Sequence, residues 1–397
     1  MADTMKSLTH KDYTVGWICA LPTEFVAAQA MLDERHQALP NNIHDQNNYA
    51  LGRIGKQDIA IACLPKYQTG TSPAAIVANT MLFGFPSIRF GLMVGIGGGV
   101  PSMVGKRRDL RLGDIVVSAP TGVGTGVVQY DMGKTEKEGQ FRRTGALNKP
   151  PPILLTAISS LETQHGLEKQ LSEHISSGFT RWYPDWASKY AYQGADCDRL
   201  FEASYDHIDD NDESCQHCDG LKIIARPSRC DSFPVIHYGN IASGNQVMKH
   251  GITRDQLAER DDVICFEMEA AGLMDSFPCL VIRGICDYAD SHKNKKWQPY
   301  SAATAAAYAK ALLLSVAPQA VQDMARIKSD NHHWLVPRQV NPFFTGRRRI
   351  LETLEKKICT SFPEKDHRQQ RRFVIVGMGG IGKSEVCLKF AEDNRER

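Results

Sequence analysis

Short apolar runs rich in Val, Ile and Leu recur along this chain, and each ends in glycine, proline or small polar residues. Residues 13–21, 90–94, 115–118, 234–239 and 279–282 have the length and composition of strands buried in a sheet. Between them lie stretches with helical character: 24–33, 73–83, 151–171, 254–260 and 301–317, the last rich in alanine. Residues 48–54 and 57–63 read as a hairpin around Gly55-Lys56. Strands that alternate with helices predict an α/β domain in which a twisted mixed sheet is flanked by helices. In such sheets ligands sit beyond the carboxyl ends of the strands. Attention therefore falls on four strand ends. These are Leu21-Pro22-Thr23-Glu24, the glycine cluster at residues 95–99, the turn at residues 243–248, and the stretch from Cys265 to Lys293.

That last stretch reads CFEMEAAGLMDSFPCLVIRGICDYADSHK. Glu267 and Glu269 flank Met268, and Asp287 follows a buried strand. Three acids at strand ends, with no Ser/His/Asp set and no HExxH, point to acid–base chemistry rather than to an acyl-enzyme. Glu24 at its strand-to-helix corner has a plainer reading, that of a first-turn acid complementing the helix dipole. For Glu267 and Glu269 the plain reading is charge on a helix surface.

Composition narrows the class. The chain has 397 residues, 42% hydrophobic and 23% charged, with a net charge of +2. A balance so near zero gives no reason to expect a nucleic-acid or membrane partner. Eleven cysteines are scattered, several inside strand-like runs, as reduced thiols in the cytosol would be. Cys215 and Cys218 have C-x-x-C spacing, with Cys197 and Cys230 as possible companions. One clean pair falls short of the two that a structural zinc site usually shows, so an insertion loop with free thiols and no metal is expected. The first residues lack an apolar core, so no secretory leader is expected, and no run of about 18 apolar residues occurs.

Residues 1–12 read as a tail, 13–317 as the main domain with an irregular insertion at 175–232, and 318–345 as a linker. Residues 346–397 read as the start of a second domain. In that last part a short apolar run enters Gly377-Met378-Gly379-Gly380-Ile381-Gly382-Lys383-Ser384, a G-x-x-x-x-G-K-S loop. Its amides, Lys383 and Ser384 could hold ATP and Mg²⁺. Only thirteen residues follow Ser384, so an incomplete phosphate-binding βα unit without ATPase activity is expected.

The motifs ALPTE, GIGGG, RLGDIVVS, SGNQVM, FEMEAAG and VIRGICDYAD, in this order, resemble the nucleoside phosphorylase/nucleosidase superfamily over roughly residues 13–317. The downstream FFTGRRRILETLEKKI and VIVGMGGIGKS resemble the start of an NB-ARC-type domain. The whole resembles a fungal NOD-like receptor with a nucleosidase-like effector domain. This resemblance implies that Asp287 protonates the purine, that Glu269 binds ribose hydroxyls, and that Met268 walls the sugar. It also implies that Glu267 helps place water or a hydroxyl, that Gln246, Val247 and Met248 lie along the base, and that Gly97 and Gly98 lie beside the sugar. Phosphorylases of this superfamily hold phosphate with arginines after the first strand and before the glycine cluster. Here those positions carry Thr23-Glu24 and Met93-Val94, so the nucleosidase branch is implied, with Glu24 orienting water. The expectation is a cofactor-free, cytoplasmic, homo-oligomeric purine nucleosidase. Its alternatives are a phosphorylase, an ATP or AMP nucleosidase, and a non-catalytic sensing or self-association module.

Overall fold

The computed structural model describes residues 8–41, 45–101, 109–208, 215–327, 347–358 and 383–393. It divides into two compact units, Met1–Ser329 and Asp330–Arg397. The first begins with β1 (Val15–Cys19), α1 (Pro22–Ala30), β2 (Glu34–Arg35), β3 (Tyr49–Ile54), β4 (Gln57–Cys63), α2 (Thr71–Gly84) and β5 (Phe90–Gly99). Then come β6 (Ile115–Ser118), β7 (Val127–Gln129), β8 (Gly133–Thr135), β9 (Phe141–Arg143), α3 (Pro152–Glu162) and α4 (Leu167–Trp182). It ends with β10 (Ile236–Ser243), α5 (Gly251–Asp261), β11 (Val263–Glu267), β12 (Cys279–Asp287), α6 (Gln298–Ser315) and α7 (Pro318–Asp323). The second unit contributes α8 (Arg348–Ile358) and α9 (Lys383–Asp393), which contact each other. Among the described residues no helix is long and apolar enough to cross a membrane.

The main sheet is mixed, as the alternating pattern predicts, with strand order β11-β10-β6-β12-β5-β1-β4-β3-β2. β12 lies between β5, to which it is parallel, and β6, to which it is antiparallel. β11 pairs with β10 and also with the far end of β5, where Cys265 and Phe266 face Gly99 and Gly98. β5, β12, β6, β10 and β11 therefore close into a ring, and the ends of β5, β11 and β12 meet at one rim.

The glycines at residues 95–99 are strand and not the turn that their spacing suggests. Absent side chains let other groups pack flat on this part of β5. A Cβ on Gly95 would collide with the Glu24 carboxylate and the Arg283 guanidinium, and one on Gly98 with Asp287 and Ala289. Three further expectations are corrected. α1 begins at Pro22, two residues before the expected start at 24, with Leu21 at the cap position. The single helix expected over 151–171 is two, because Gly166 takes a left-handed conformation (φ 77°) and restarts the chain as α4. β10 runs on to Ser243, four residues past the strand end expected at 239. The motif glycines Gly377 and Gly382, like the short run before them, lie outside the described residues. Lys383 and Ser384 open α9.

α6 is buried along almost its whole length and lies across β12 and β5. Alanine allows that approach, and Gly284 of β12 is the point of closest contact, since a Cβ there would strike the Ser301 carbonyl. Overpacking a rigid contact costs roughly 1–3 kcal/mol. Gly284→Ala is expected to lower unfolding stability by about that amount in urea denaturation. A midpoint unchanged from wild type would contradict this packing.

Candidate active site

At the rim where β5, β11 and β12 end lies an open cavity of about 730 Å³. Its walls include Glu24, Gly97, Gly98, Gln246, Val247, Met248, Glu267, Met268, Glu269 and Asp287. All ten residues singled out in the first unit from sequence thus face one space. They come from four separate segments, and the ring closure brings them together. Gln246 and Val247 are exposed at the open edge, whereas Gly97, Gly98, Met248, Glu267 and Glu269 are buried.

Glu24 is the first-turn acid of the plainer reading and also lines the cavity. As third residue of α1 its Oε2 accepts the N–H groups of Ala20 (2.7 Å) and Leu21 (2.9 Å), which caps the helix. Its Oε1 reaches across to the Ile96 N–H at 2.9 Å. The carboxyl is 3% exposed. Burial raises its pKa, while Arg283 and the three amides oppose the rise. The result is a fixed carboxyl with a heightened affinity for a proton.

Glu267 and Glu269 are not on a helix surface. Glu267 is the last residue of β11, a strand that the sequence reading did not identify, and Glu269 precedes a single 3₁₀ turn, Ala270–Gly272. Glu267 accepts the N–H groups of Glu269 (3.1 Å) and Ala270 (3.1 and 3.2 Å), and is bound by Arg283. Glu269 accepts the Gly70 N–H at 3.3 Å and an Arg283 N–H at 3.4 Å. Burial lifts Glu269 to about 7, with Arg283 pulling against Glu267 and Glu24.

Arg283 is the functional group that sequence reasoning missed. It is 1% exposed within β12, and its guanidinium serves Glu267, Glu269 and the Ile96 carbonyl. Burial disfavours its charge, but Glu267, Glu269 and Glu24 together hold it protonated more firmly than usual. The available signal was an arginine inside an otherwise apolar strand, since such a charge is tolerated only when paired.

Asp287 ends β12. Its Oδ1 accepts the Ala289 N–H at 2.8 Å, and Lys293 Nζ lies 3.0 and 3.1 Å from its two oxygens. Lys293 also lines the cavity. Burial works against its charge, yet Asp287 beside it raises its pKa. No spacing rule pairs residues 287 and 293, because the loop between them makes the contact. Phe266, Ile96 and Ala289 supply apolar wall, and Lys249 and Lys295 add positive charge. No arginine stands among the described residues lining the cavity.

No family model matches the chain. It is 45% identical over 392 residues to a "Nucleotide-binding leucine-rich repeat (NLR)-like protein" of Hyaloscypha variabilis, which covers 98% of this chain and 37% of that relative. The chain is similar to an NLR-like protein. The receptor-type resemblance seen in the sequence therefore stands, and the chain spans somewhat more than a third of that relative's length. Among solved structures it is similar to the futalosine hydrolase of Helicobacter pylori strain 26695, with 17% identity and a TM-score of 0.46 over 77% of this chain and 99% of that one. It is also similar to the 5′-methylthioadenosine/S-adenosylhomocysteine nucleosidase of Neisseria meningitidis in complex with methylthio-immucillin-A. There the identity is 16% and the TM-score 0.47, over 76% of this chain and 99% of that one.

Removing one partner of a buried ion pair costs roughly 3–5 kcal/mol. Arg283→Met is expected to destabilise by that order near neutral pH, because Glu267 and Glu269 lose their counter-charge. Glu269 has its folded pKa raised above the unfolded value. Its contribution is therefore fully present below the ordinary 4.5 and is lost as pH rises through about 7. Without Arg283 that loss deepens, so the deficit should be largest above pH 7 and shrink toward pH 5. Urea titrations of both proteins at several pH values check this, and a pH-independent deficit would contradict it.

Proposed function

We propose that the cavity hydrolyses the N-glycosidic bond of a purine nucleoside, releasing free base and ribose. One observation carries the reading: Glu24, Glu269 and Asp287, which the motif resemblance assigns to water, sugar and base, face the same cavity. Glu24 packs over Gly95 and Asp287 over Gly98, three residues apart along β5.

The base binds along Gln246, Val247 and Met248, with N7 toward Asp287. The sugar rests on Met268 and hydrogen-bonds Glu269. As the C1′–N9 bond lengthens, its electron pair moves onto the purine and N7 becomes more basic. Asp287 gives N7 a proton. An ammonium–carboxylate pair is one proton transfer away from amine and carboxylic acid, so Lys293 resupplies Asp287. The ribosyl cation left behind faces Glu269, Glu267 and Glu24, and fixed carboxylates stabilise charge that develops only in the transition state. Water attacks C1′ and passes its proton to Glu24, whose burial favours that outcome.

Hydrolysis is preferred to phosphorolysis on electrostatic grounds. A phosphate dianion in the nucleophile's position would face Glu24 and Glu269, while Arg283 is already engaged by Glu267 and Glu269. A second reading, with a nucleotide as substrate, is favoured by Lys249 and Lys295 in the walls of the same cavity. Given the NLR-like relative, the cavity serves as the catalytic part of a receptor-type protein, in the cytoplasm.

Purified protein is expected to release free purine from nucleosides in phosphate-free buffer, read by chromatography across nucleosides and their 5′-phosphates. Turnover that requires phosphate and yields ribose 1-phosphate would sink the hydrolase reading, and no release from any of them would sink catalysis itself. Asp287→Asn should lower kcat at least about a hundredfold, the size of an acid–base contribution. Lys293→Met should lower kcat and change the shape of its pH profile, because the proton that Asp287 passes to N7 loses its neighbouring source. A Lys293→Met profile parallel to wild type would remove Lys293 from the proton path.

A further inference from the structure

The irregular excursion between α4 and β10 places three ligand-type side chains together. The ring nitrogen of His207 and the sulfurs of Cys215 and Cys218 lie within 4.8 Å of one another, and all three residues are half-buried. Cys197 and Cys230, the companions suggested by sequence, are exposed and are not part of this group. The C-x-x-C turn brings two sulfurs to one side, and the histidine comes from eight residues upstream. In a tetrahedral zinc site with the usual Zn–S and Zn–N bonds, ligand atoms stand about 3.5–3.8 Å apart. Small side-chain rotations close the difference. Two thiolates and an imidazole suit Zn²⁺ rather than an oxygen-preferring cation such as Ca²⁺ or Mg²⁺.

We propose that His207, Cys215 and Cys218 bind one Zn²⁺, with water as fourth ligand, and that the ion clamps the excursion onto the wall of the cavity. His207 and Asp206 themselves line that cavity. The His207 N–H donates to Ser291 Oγ at 2.9 Å, and Ser291 Oγ donates to Asp206 Oδ1 at 3.3 Å. Ser291 lies four residues beyond Asp287 and two before Lys293. The excursion is anchored at a second point, where Asp198 and Arg226 bind each other and the Tyr288 hydroxyl. The ion holds the other end, between Cys215 and the loop that carries Lys293. Its two bound thiolates balance its charge, so it adds no net field to the cavity. Its role is to hold the wall in place.

The test is metal analysis of the full chain, expressed without a histidine tag, purified without chelator and under reducing conditions. About one zinc per chain is expected, absent from the Cys215→Ser/Cys218→Ser double variant and reduced in His207→Ala. Cobalt(II) replacing the zinc in wild-type protein should give thiolate-to-metal charge-transfer absorption and the visible bands of a tetrahedral ion. Chelation of wild type should at least tenfold accelerate alkylation of Cys215 and Cys218, mapped by mass spectrometry. This keeps the test decisive even where the variants do not fold. Three results would overturn the proposal. One is wild-type protein that takes up no zinc and gives no thiolate–cobalt absorption on reconstitution. Another is zinc that persists in the double variant, and the third is a Cys215–Cys218 disulfide in reduced preparations.

Discussion

The site depends on one buried arginine set among three carboxyl groups. Arg283 lies within β12, where every neighbour along the strand is buried, and its guanidinium binds Glu267 and Glu269 while Glu24 lies close by. One cation cannot neutralise three anions. Burial raises the pKa of both Glu24 and Glu269, and for Glu269 the neighbouring Glu267 and Glu24 add to the rise. Burying such a cluster is costly, and a hydrophobic core of similar volume would serve stability better. Under the proposed reaction its presence has a use: an excess of fixed negative charge at the rim would stabilise a positive charge that appears briefly and then vanishes.

The fold supplies what that cluster needs. The antiparallel pairing of β11 with the end of β5 closes the ring and sets Glu267 against β12, where Arg283 waits. Glycines in β5 make room for the Glu24 and Arg283 head groups at Gly95 and for Asp287 at Gly98. Helix α1 turns Glu24 back over the sheet because its carboxylate also caps the helix. A single residue thus fixes the helix start and the cavity floor, and neither could be moved without the other.

Much of this was legible in the sequence, for identifiable reasons. Alternating apolar runs gave the α/β mixed sheet, because a strand buried on both faces needs such residues. Glu24 and Asp287 stood out because each followed an apolar run, and Glu267 and Glu269 because they form an acidic pair shortly before one. What stayed hidden was longer in range. Nothing local marks β11 as a strand that pairs in two directions, so Glu267 and Glu269 read equally well as helix-surface charges. The glycine cluster read as a turn because a strand rich in glycine makes sense only when the groups packed on it are known. Arg283 was visible as a residue and invisible as a counter-ion until Glu267 was placed beside it.

Lys293 shows why the last part of the site resists sequence reading. It is joined to Asp287 by a loop whose shape is set from outside, by Arg254 on the Tyr288 carbonyl and Asp290, and by the hydroxyl contacts of Tyr288 with Asp198 and Arg226. These partners come from α5 and from the excursion between α4 and β10. The excursion looks like a dispensable insertion when judged by its irregular pattern. In the folded chain it holds the loop that carries the counter-charge of Asp287, so the most irregular segment governs the geometry around that carboxylate.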